Sequence, residues 1–331
     1  FGEEHPNYAG ILSNLVSLYI TLGNYDKAKP FSLKVLEIDK KNYGENHPNY
    51  ATSLNNMAML YQQMGSKLRG SVDVENINGK NAFFDQVGVT AAQLRTSRHG
   101  DTPQIDTPHS RRRLSLADYE WADLVDDVDK VRMLVDPTSS YAKAAAAAMN
   151  RSIDDVIITA MNASANTGVA GGTSTALPST QKTATSDQSD GLTIAKLLSA
   201  KKIMDNNDVD PSIKRYIVCG PQQISDLLGT TQVTSGDFNT IKALAQGEIN
   251  SYLGFEFITS TRLNMDATNT SDRLVFAYTE DAVKLGIGKD IGAKISERAD
   301  KSYSTQVYYS MSLGAVRMEE KKVVQIPCHE A

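Results

Sequence analysis

Hydrophobic and polar positions divide this chain into stretches of different period. Over residues 1–65 the period is helical. Leu12, Leu15, Tyr19 and Leu22 stand at i, i+3, i+7 and i+10, one face of a helix that Gly23 ends. A second helix is predicted from Tyr25-Asp26-Lys27-Ala28, with Pro30 in its first turns and Phe31, Val35 and Ile38 as its stripe up to Lys40-Lys41. The unit then recurs at an offset of 42 residues: His5-Pro6-Asn7-Tyr8-Ala9 returns as His47-Pro48-Asn49-Tyr50-Ala51, followed by Leu12/Leu54, Tyr19/Tyr61 and Gly23/Gly65. Helix, glycine turn and helix at a fixed period is a hairpin repeat, and its apolar face needs neighbouring repeats to cover it. The second copy stops before its second helix, so Phe1 reads as the cut end of an array.

From residue 66 the period changes. Val72, Val74, Phe83, Phe84, Val87 and Val89 alternate around Asn78-Gly79, which predicts a hairpin. Residues 95–113 are polar and basic, and Pro103 and Pro108 exclude a helix, so this stretch is expected as a long exposed hairpin or loop. Order returns over Leu114–Asp129, where Trp121 stands among Asp118, Glu120, Asp123, Asp126, Asp127 and Asp129. Asp136-Pro137-Thr138-Ser139-Ser140 starts a helix that Met149, Ile153, Val156, Ile157 and Ala160 carry to about Ala163. Residues 164–190, rich in Gly, Ser and Thr, are expected as a flexible loop. Helices over Leu192–Asn206, Pro221–Leu228 and Phe238–Glu248 then alternate with strands over Arg215–Cys219, Phe255–Thr259 and Leu274–Tyr278, the order of an α+β or α/β unit. Strand patterning returns from Thr305 to Ile326.

The 331 residues carry 34 Lys+Arg against 39 Asp+Glu, a formal charge of −5, and are 40% hydrophobic. That excludes a simply disordered chain and leaves room for two domains. No apolar run approaches the roughly 18 residues of a membrane span, and FGEEHPNY lacks the features of a signal peptide, so no membrane partner is expected. Cys219 and Cys328 are too few for a disulfide framework or a thiolate zinc site. Cys219 ends an apolar strand and reads as a small buried hydrophobe. Gly286-Ile287-Gly288-Lys289 lacks the outer glycine and the hydroxyl residue of a phosphate loop. The acidic run lacks the spacing of a calcium loop, and His99 and His109 lack ligand spacing. No catalytic, cofactor-binding or metal residue is therefore expected.

The basic stretch is different. Arg95, Arg98, Arg111, Arg112 and Arg113 give residues 95–113 a net charge of about +3 in an acidic chain. Such a stretch suits a solvated loop, a phosphate ligand or an acidic protein surface. The acidic residues that follow, Asp123, Asp126 and Asp127 among them, suggest pairing between copies, with a positive loop of one lying over a negative patch of the next. Charge reversal at Arg111 and Arg112 is expected to leave the chain folded and to impair assembly.

Residues 1–65, with HPNYA and LYITLGNYDKA, resemble tetratricopeptide repeats of the 42-residue, kinesin-light-chain-like kind. Residues from about 65 to 326 resemble the major capsid protein of tailed bacteriophages, with the Hong Kong 97-type fold. GSKLRGSV at 65–72, RTSRHGDTPQIDTPHSRRRLSLADYEWADLVDD at 95–127, KVRMLVDPTSSYAKAAAAAM at 130–149 and SDLLGTTQVTSGDFNTIKALAQGEINSYLGFEF at 225–257 carry this likeness. It implies an α+β fold over residues 66–331, with an extended loop (the E-loop) at about 86–116, a spine helix at about 138–164 and an axial lobe at about 192–285. It also implies a structural protein whose partners are copies of itself in an icosahedral shell, with packaged double-stranded DNA met through the shell interior. The virion would be its location and the host bacterial cytoplasm its place of assembly. Covalent cross-linking, known in this fold, finds no supporting pattern. A tetratricopeptide module that binds a peptide or protein, fused to an unrelated α+β domain, is the alternative. Both patterns stop at Gln62–Ser66, which reads as the join of a fusion.

Overall fold

The computed structural model describes residues 6–21, 25–43, 53, 65–88, 90–98, 101–102, 104–125, 137–183, 190–229, 251–267 and 269–330. The second repeat copy (apart from Ser53 and Gly65), the Phe238–Glu248 helix, Asp126 and Asp127 lie outside the described residues. At the N-terminal end, helices α1 (Pro6–Thr21) and α2 (Tyr25–Tyr43) form a hairpin. Ala9 and Leu12 pack with Val35 and Ile38, Val16 packs with Ala28, and Tyr19 stacks on Phe31 at 5.9 Å. These small cores share no residue with the main core of the chain.

The rest is mixed. Thirteen strands run in chain order: β1 (Asp73–Asn76), β2 (Asn81–Val87), β3 (His109–Ser115), β4 (Ala117–Val125), β5 (Ala165–Thr167), β6 (Thr173–Thr175), β7 (Arg215–Cys219), β8 (Ser251–Tyr252), β9 (Phe255–Thr259), β10 (Asp272–Thr279), β11 (Val283–Arg298), β12 (Ser304–Arg317) and β13 (Val323–His329). The described α-helices of this part are α3 (Pro137–Asn162), α4 (Ile194–Asn206) and α5 (Pro221–Gly229), and short 3-10 turns join some of the strands. The strands form three sheets, ordered β1-β11-β12-β4, β13-β10-β7-β9-β8 and β2-β3-β5-β6.

Helix α3 is 26 residues, about 39 Å long, and lies against β4, β11 and β12. Met149, Ile153, Ile157 and Met161 repeat every four residues and are buried in the main core with β10 and β12. The 16-residue β11 was not expected from the sequence, because Lys284, Gly286, Gly288, Lys289 and Asp290 interrupt its alternation. Its glycines serve packing. A Cβ on Gly286 would lie 2.1 Å from Ile77 Cδ1, and one on Gly314 of β12 would lie 2.2 Å from the Ser115 carbonyl oxygen. Register shifts beside Gly288 and Gly292 mark bulges in the β11–β12 ladder.

Two further expectations are corrected. Asn78-Gly79 does turn the chain, with Gly79 at φ +106°, but β1 pairs with β11 and β2 with β3, so the flanking strands belong to different sheets. The Gly/Ser/Thr stretch is not simply a loop: β5 and β6 pair within it, β5 joins β3, and Leu177, Gln181 and Thr183 are buried. Hydrogen bonding of Thr and Asn backbone to a ready strand edge outweighs the weak local preference of this composition.

The segment at 65–72 is fastened to the body. Asp154 of α3 accepts from Ser66 Oγ at 2.9 Å and from the Leu68 N–H at 3.2 Å. Arg69 pairs with Asp290, and the Ser71 and Tyr278 hydroxyls stand 2.5 Å apart. Burial raises the Asp154 carboxyl above its ordinary range, and the hydrogen bonds from Ser66, Leu68 and Lys67 oppose that shift.

Candidate subunit-contact surface

Strands β2 and β3 pair from Asn81↔Ser115 to Val87↔His109 and project the stretch that joins them, residues 88–108. Nearly all its described residues are exposed, Leu94 at 89%. The loop partly stabilises itself: Arg95 Nε donates to the Ser97 carbonyl at 3.0 Å, and its Nη2 donates to the Arg98 carbonyl. Arg98 is exposed and has no carboxylate partner among the described residues.

The three arginines on β3 meet three different environments. Arg111 sits directly across from Asp85 and holds it in a bidentate pair, Nε to Oδ1 at 2.5 Å and Nη2 to Oδ2 at 3.2 Å. Its guanidinium also lies 5.7 Å from the Phe83 ring centre. The hydrogen bond from Arg111 holds the Asp85 carboxyl below its usual range. Arg112 is turned inward, 6% exposed, donating from Nε to the Met318 carbonyl at 2.9 Å and from Nη2 to both Glu320 oxygens at 2.7 Å. The expectation that Arg112 offers a charge to another copy is therefore corrected: alternation along β3 and the return of the chain at 318–320 bury it. Arg113 is half-buried, and its Nε has no hydrogen-bond partner among the described residues.

Arg317 was missed by sequence reading. Its side chain is fully buried, and Nη1 donates to the Met161 and Ala163 carbonyls at 2.8 Å each, capping the C-terminal end of α3. Nη2 donates to the Thr175 carbonyl at 3.1 Å, and Nε stands 3.8 Å from Glu320. Burial lowers its pKa, with the Glu320 charge acting against that effect. A lone arginine in a strand-forming tail carries no local sign of this role.

The acidic side is set out on β4, which pairs with β12 on one edge of its sheet. Asp118, Glu120 and Asp123 are exposed, and none is ion-paired among the described residues. Asp123 Oδ1 accepts from the Leu124 N–H at 2.8 Å. Charged side chains on such an edge discourage indiscriminate strand pairing while leaving room for a specific contact. The long basic loop and the acidic edge are thus both exposed, but the net charge expected of the loop is reduced: Arg111 is neutralised by Asp85 and Arg112 by Glu320.

Chemistry of other kinds has little support here. No group of three or more His, Cys, Asp or Glu that could hold a metal ion occurs among the described residues. Cys219 and Cys328 are buried, and burial pushes each thiol up to about 12, which suppresses the reactive thiolate. Among the described residues no helix is long and apolar enough to cross a membrane.

Comparison with known proteins bears on the family and the fold. A family model described as phage capsid protein matches residues 49–330, and one described as tetratricopeptide repeat matches residues 7–67. No curated protein sequence matches the chain. Among solved structures, the capsid of cyanophage P-SCSP1u is 17% identical, with 78% of this chain and 87% of that chain covered at a TM-score of 0.59. The structure of Mycobacterium phage Che8 is 19% identical, covering 75% and 85% at 0.55. The capsid of the native GTA particle is 11% identical, covering 80% and 91% at 0.59. At these identities the likeness establishes the fold, a phage capsid fold preceded by a helical hairpin.

Proposed function

The chain belongs to the phage capsid protein family, and from that membership we infer that its work is structural: many copies self-assemble into a closed icosahedral shell around packaged double-stranded DNA. It is a capsid subunit, its partners are copies of itself, and the virion is its location. In our reading residues 66–331 are the capsid domain and residues 1–65 a fused repeat fragment. Residues 86–116 reach toward a neighbouring copy, 138–164 form the spine, and 192–285 the axial lobe. Arg95, Arg98, Arg111, Arg113 and Asp123, with Asp126 and Asp127, are the residues we assign to contacts between copies. Assembly takes place in the cytoplasm of the host bacterium, and no catalytic step is involved.

The family match over residues 49–330, together with a fold shared with several capsids, carries this reading. The alternative, a peptide-binding repeat module, needs a concave surface built from several stacked hairpins. The repeat match ends at residue 67, and one hairpin, α1–α2, is described. Negative-stain microscopy and sedimentation of the purified chain test the proposal. Closed particles of uniform size are expected, and a chain that stays monomeric at high concentration overturns it.

A further inference from the structure

Arg113 differs from the other arginines of its hairpin. It faces Phe83 on β2 and Asn166 on β5, and its stem lies against Gly171, where a Cβ would stand 2.6 Å from Arg113 Cβ and Cδ. Gly171 has φ +65°, so the β5–β6 turn that covers Arg113 suits glycine twice over. The guanidinium Nε is buried without a hydrogen-bond acceptor, and no carboxylate pairs with Arg113 among the described residues.

Arg113 lines a recess of about 180 Å³ together with Ser115, Ala160, Ser164, Asn166 and Arg317. Arg317 closes one wall. Its Nη atoms are held by three carbonyls, so it cannot turn away, and its Nε finds no hydrogen-bond partner among the described residues. Behind it Arg112 and Arg317 share a single carboxylate, Glu320. Two guanidinium groups therefore share one carboxylate while the third, that of Arg113, pairs with none among the described residues, and the recess is bordered by Arg113 and Arg317. Buried cationic donors without acceptors are costly, so the arrangement favours an oxyanion in that space. The recess is too small for a folded element and large enough for the end of one side chain.

The same chain carries a candidate occupant. Asp118, Glu120 and Asp123 are exposed on this chain without ion-pair partners among the described residues. A chain whose copies assemble brings such carboxylates against surfaces of other copies. We propose that the recess at Arg113 is a carboxylate-binding site that receives an aspartate or glutamate side chain from a second copy, with Arg113 as its ligand and Arg317 as its fixed positive wall. The proposal deepens the capsid reading and rests on it.

The test compares assembly of the full chain with that of Arg113→Gln, Arg113→Lys and Ser164→Phe, by sedimentation and negative stain. Ser164 is exposed at the recess, so Phe fills the opening without removing Arg113. Arg113→Gln and Ser164→Phe are each expected to lower particle yield about tenfold or more, the scale of losing one buried interfacial charge pair. Melting temperatures of the unassembled chains should stay within about 2 °C of wild type, and Arg113→Lys should retain most of the yield. Normal assembly of both Arg113→Gln and Ser164→Phe overturns the site, as does a large fall in melting temperature for Arg113→Gln with normal assembly of Ser164→Phe. Inorganic phosphate supplies a further arm. If it raises the melting temperature of the unassembled wild-type chain but not of Arg113→Gln, while both variants assemble normally, the recess holds a free anion and the second-copy occupant is overturned. A wild-type chain that forms no particles overturns the capsid reading and this proposal together, whereas wild-type particles with unimpaired variants overturn the recess alone.

Discussion

Arg111 and Arg112 are neighbours of one residue type, and the fold gives them opposite environments. Arg111 pairs with Asp85 in the open, whereas Arg112 reaches Glu320 across 208 positions of sequence with only 7% of its side chain exposed. Truncating one partner of a buried pair leaves the other charge unpaired and typically costs about 3–5 kcal/mol. Arg112→Met is therefore expected to lower stability by that order in chemical denaturation, while Arg111→Ala stays close to wild type. Equal midpoints for the two variants would contradict the inward placement of Arg112. The double charge reversal at these positions consequently does not isolate an effect on assembly, since placing a second carboxylate beside Glu320 is expected to destabilise the fold as well. Both side chains are alike to any local rule, and only the 318–320 segment distinguishes them.

At the scale of elements, the joint between residues 65–72 and α3 has a definite pH dependence. Asp154 titrates above the ordinary aspartate value of about 3.9, so the folded chain binds this proton more tightly than the unfolded chain. Its contribution to stability therefore falls as pH rises through the window between those two values. Asn at this position does not titrate. The stability of wild type relative to Asp154→Asn should increase as pH is lowered from 7 toward 4, measured by urea denaturation at each pH, and a constant difference would refute the assignment. The strand crossing near Gly314 is a second such point. Its missing Cβ admits the Ser115 carbonyl, which cannot move without dragging β3 and β4. Gly314→Ala should cost about 1–3 kcal/mol, read as a drop in melting temperature. Helix α3 was legible because its capping residues and four-residue stripe are local. Strand β11 was not, because its glycines and lysines answer to Ile77, Leu114 and the β12 ladder, which no window of sequence contains.

For the whole molecule, separate hydrophobic cores imply separable stability. The α1–α2 hairpin and the body have no core residue in common. Removing residues 1–64 should leave the main thermal unfolding transition within about 2–4 °C of the full chain in circular dichroism. A much larger shift would show that the hairpin supports the body. The same deletion retains Ser66, Leu68, Arg69 and Ser71, which fasten the start of the body to Asp154, Asp290 and Tyr278.

The 42-residue repeat, the change of period near residue 66, the long helix and the strands of the β7–β10 region follow from spacing and caps, which are properties of residues near one another in the chain. Whole-segment likeness over residues 65–326 pointed to the capsid fold, with no single motif to support it. Tertiary structure decided the rest: which strands share a sheet, which glycines allow two strands to cross, which arginine is buried and which one faces a recess. Those outcomes depend on partners as far apart as Arg112 and Glu320 or Ser66 and Asp154. Charge compensation and close packing act through space, so the local period of a sequence specifies its elements but leaves their polar contacts to be settled where the chain meets itself.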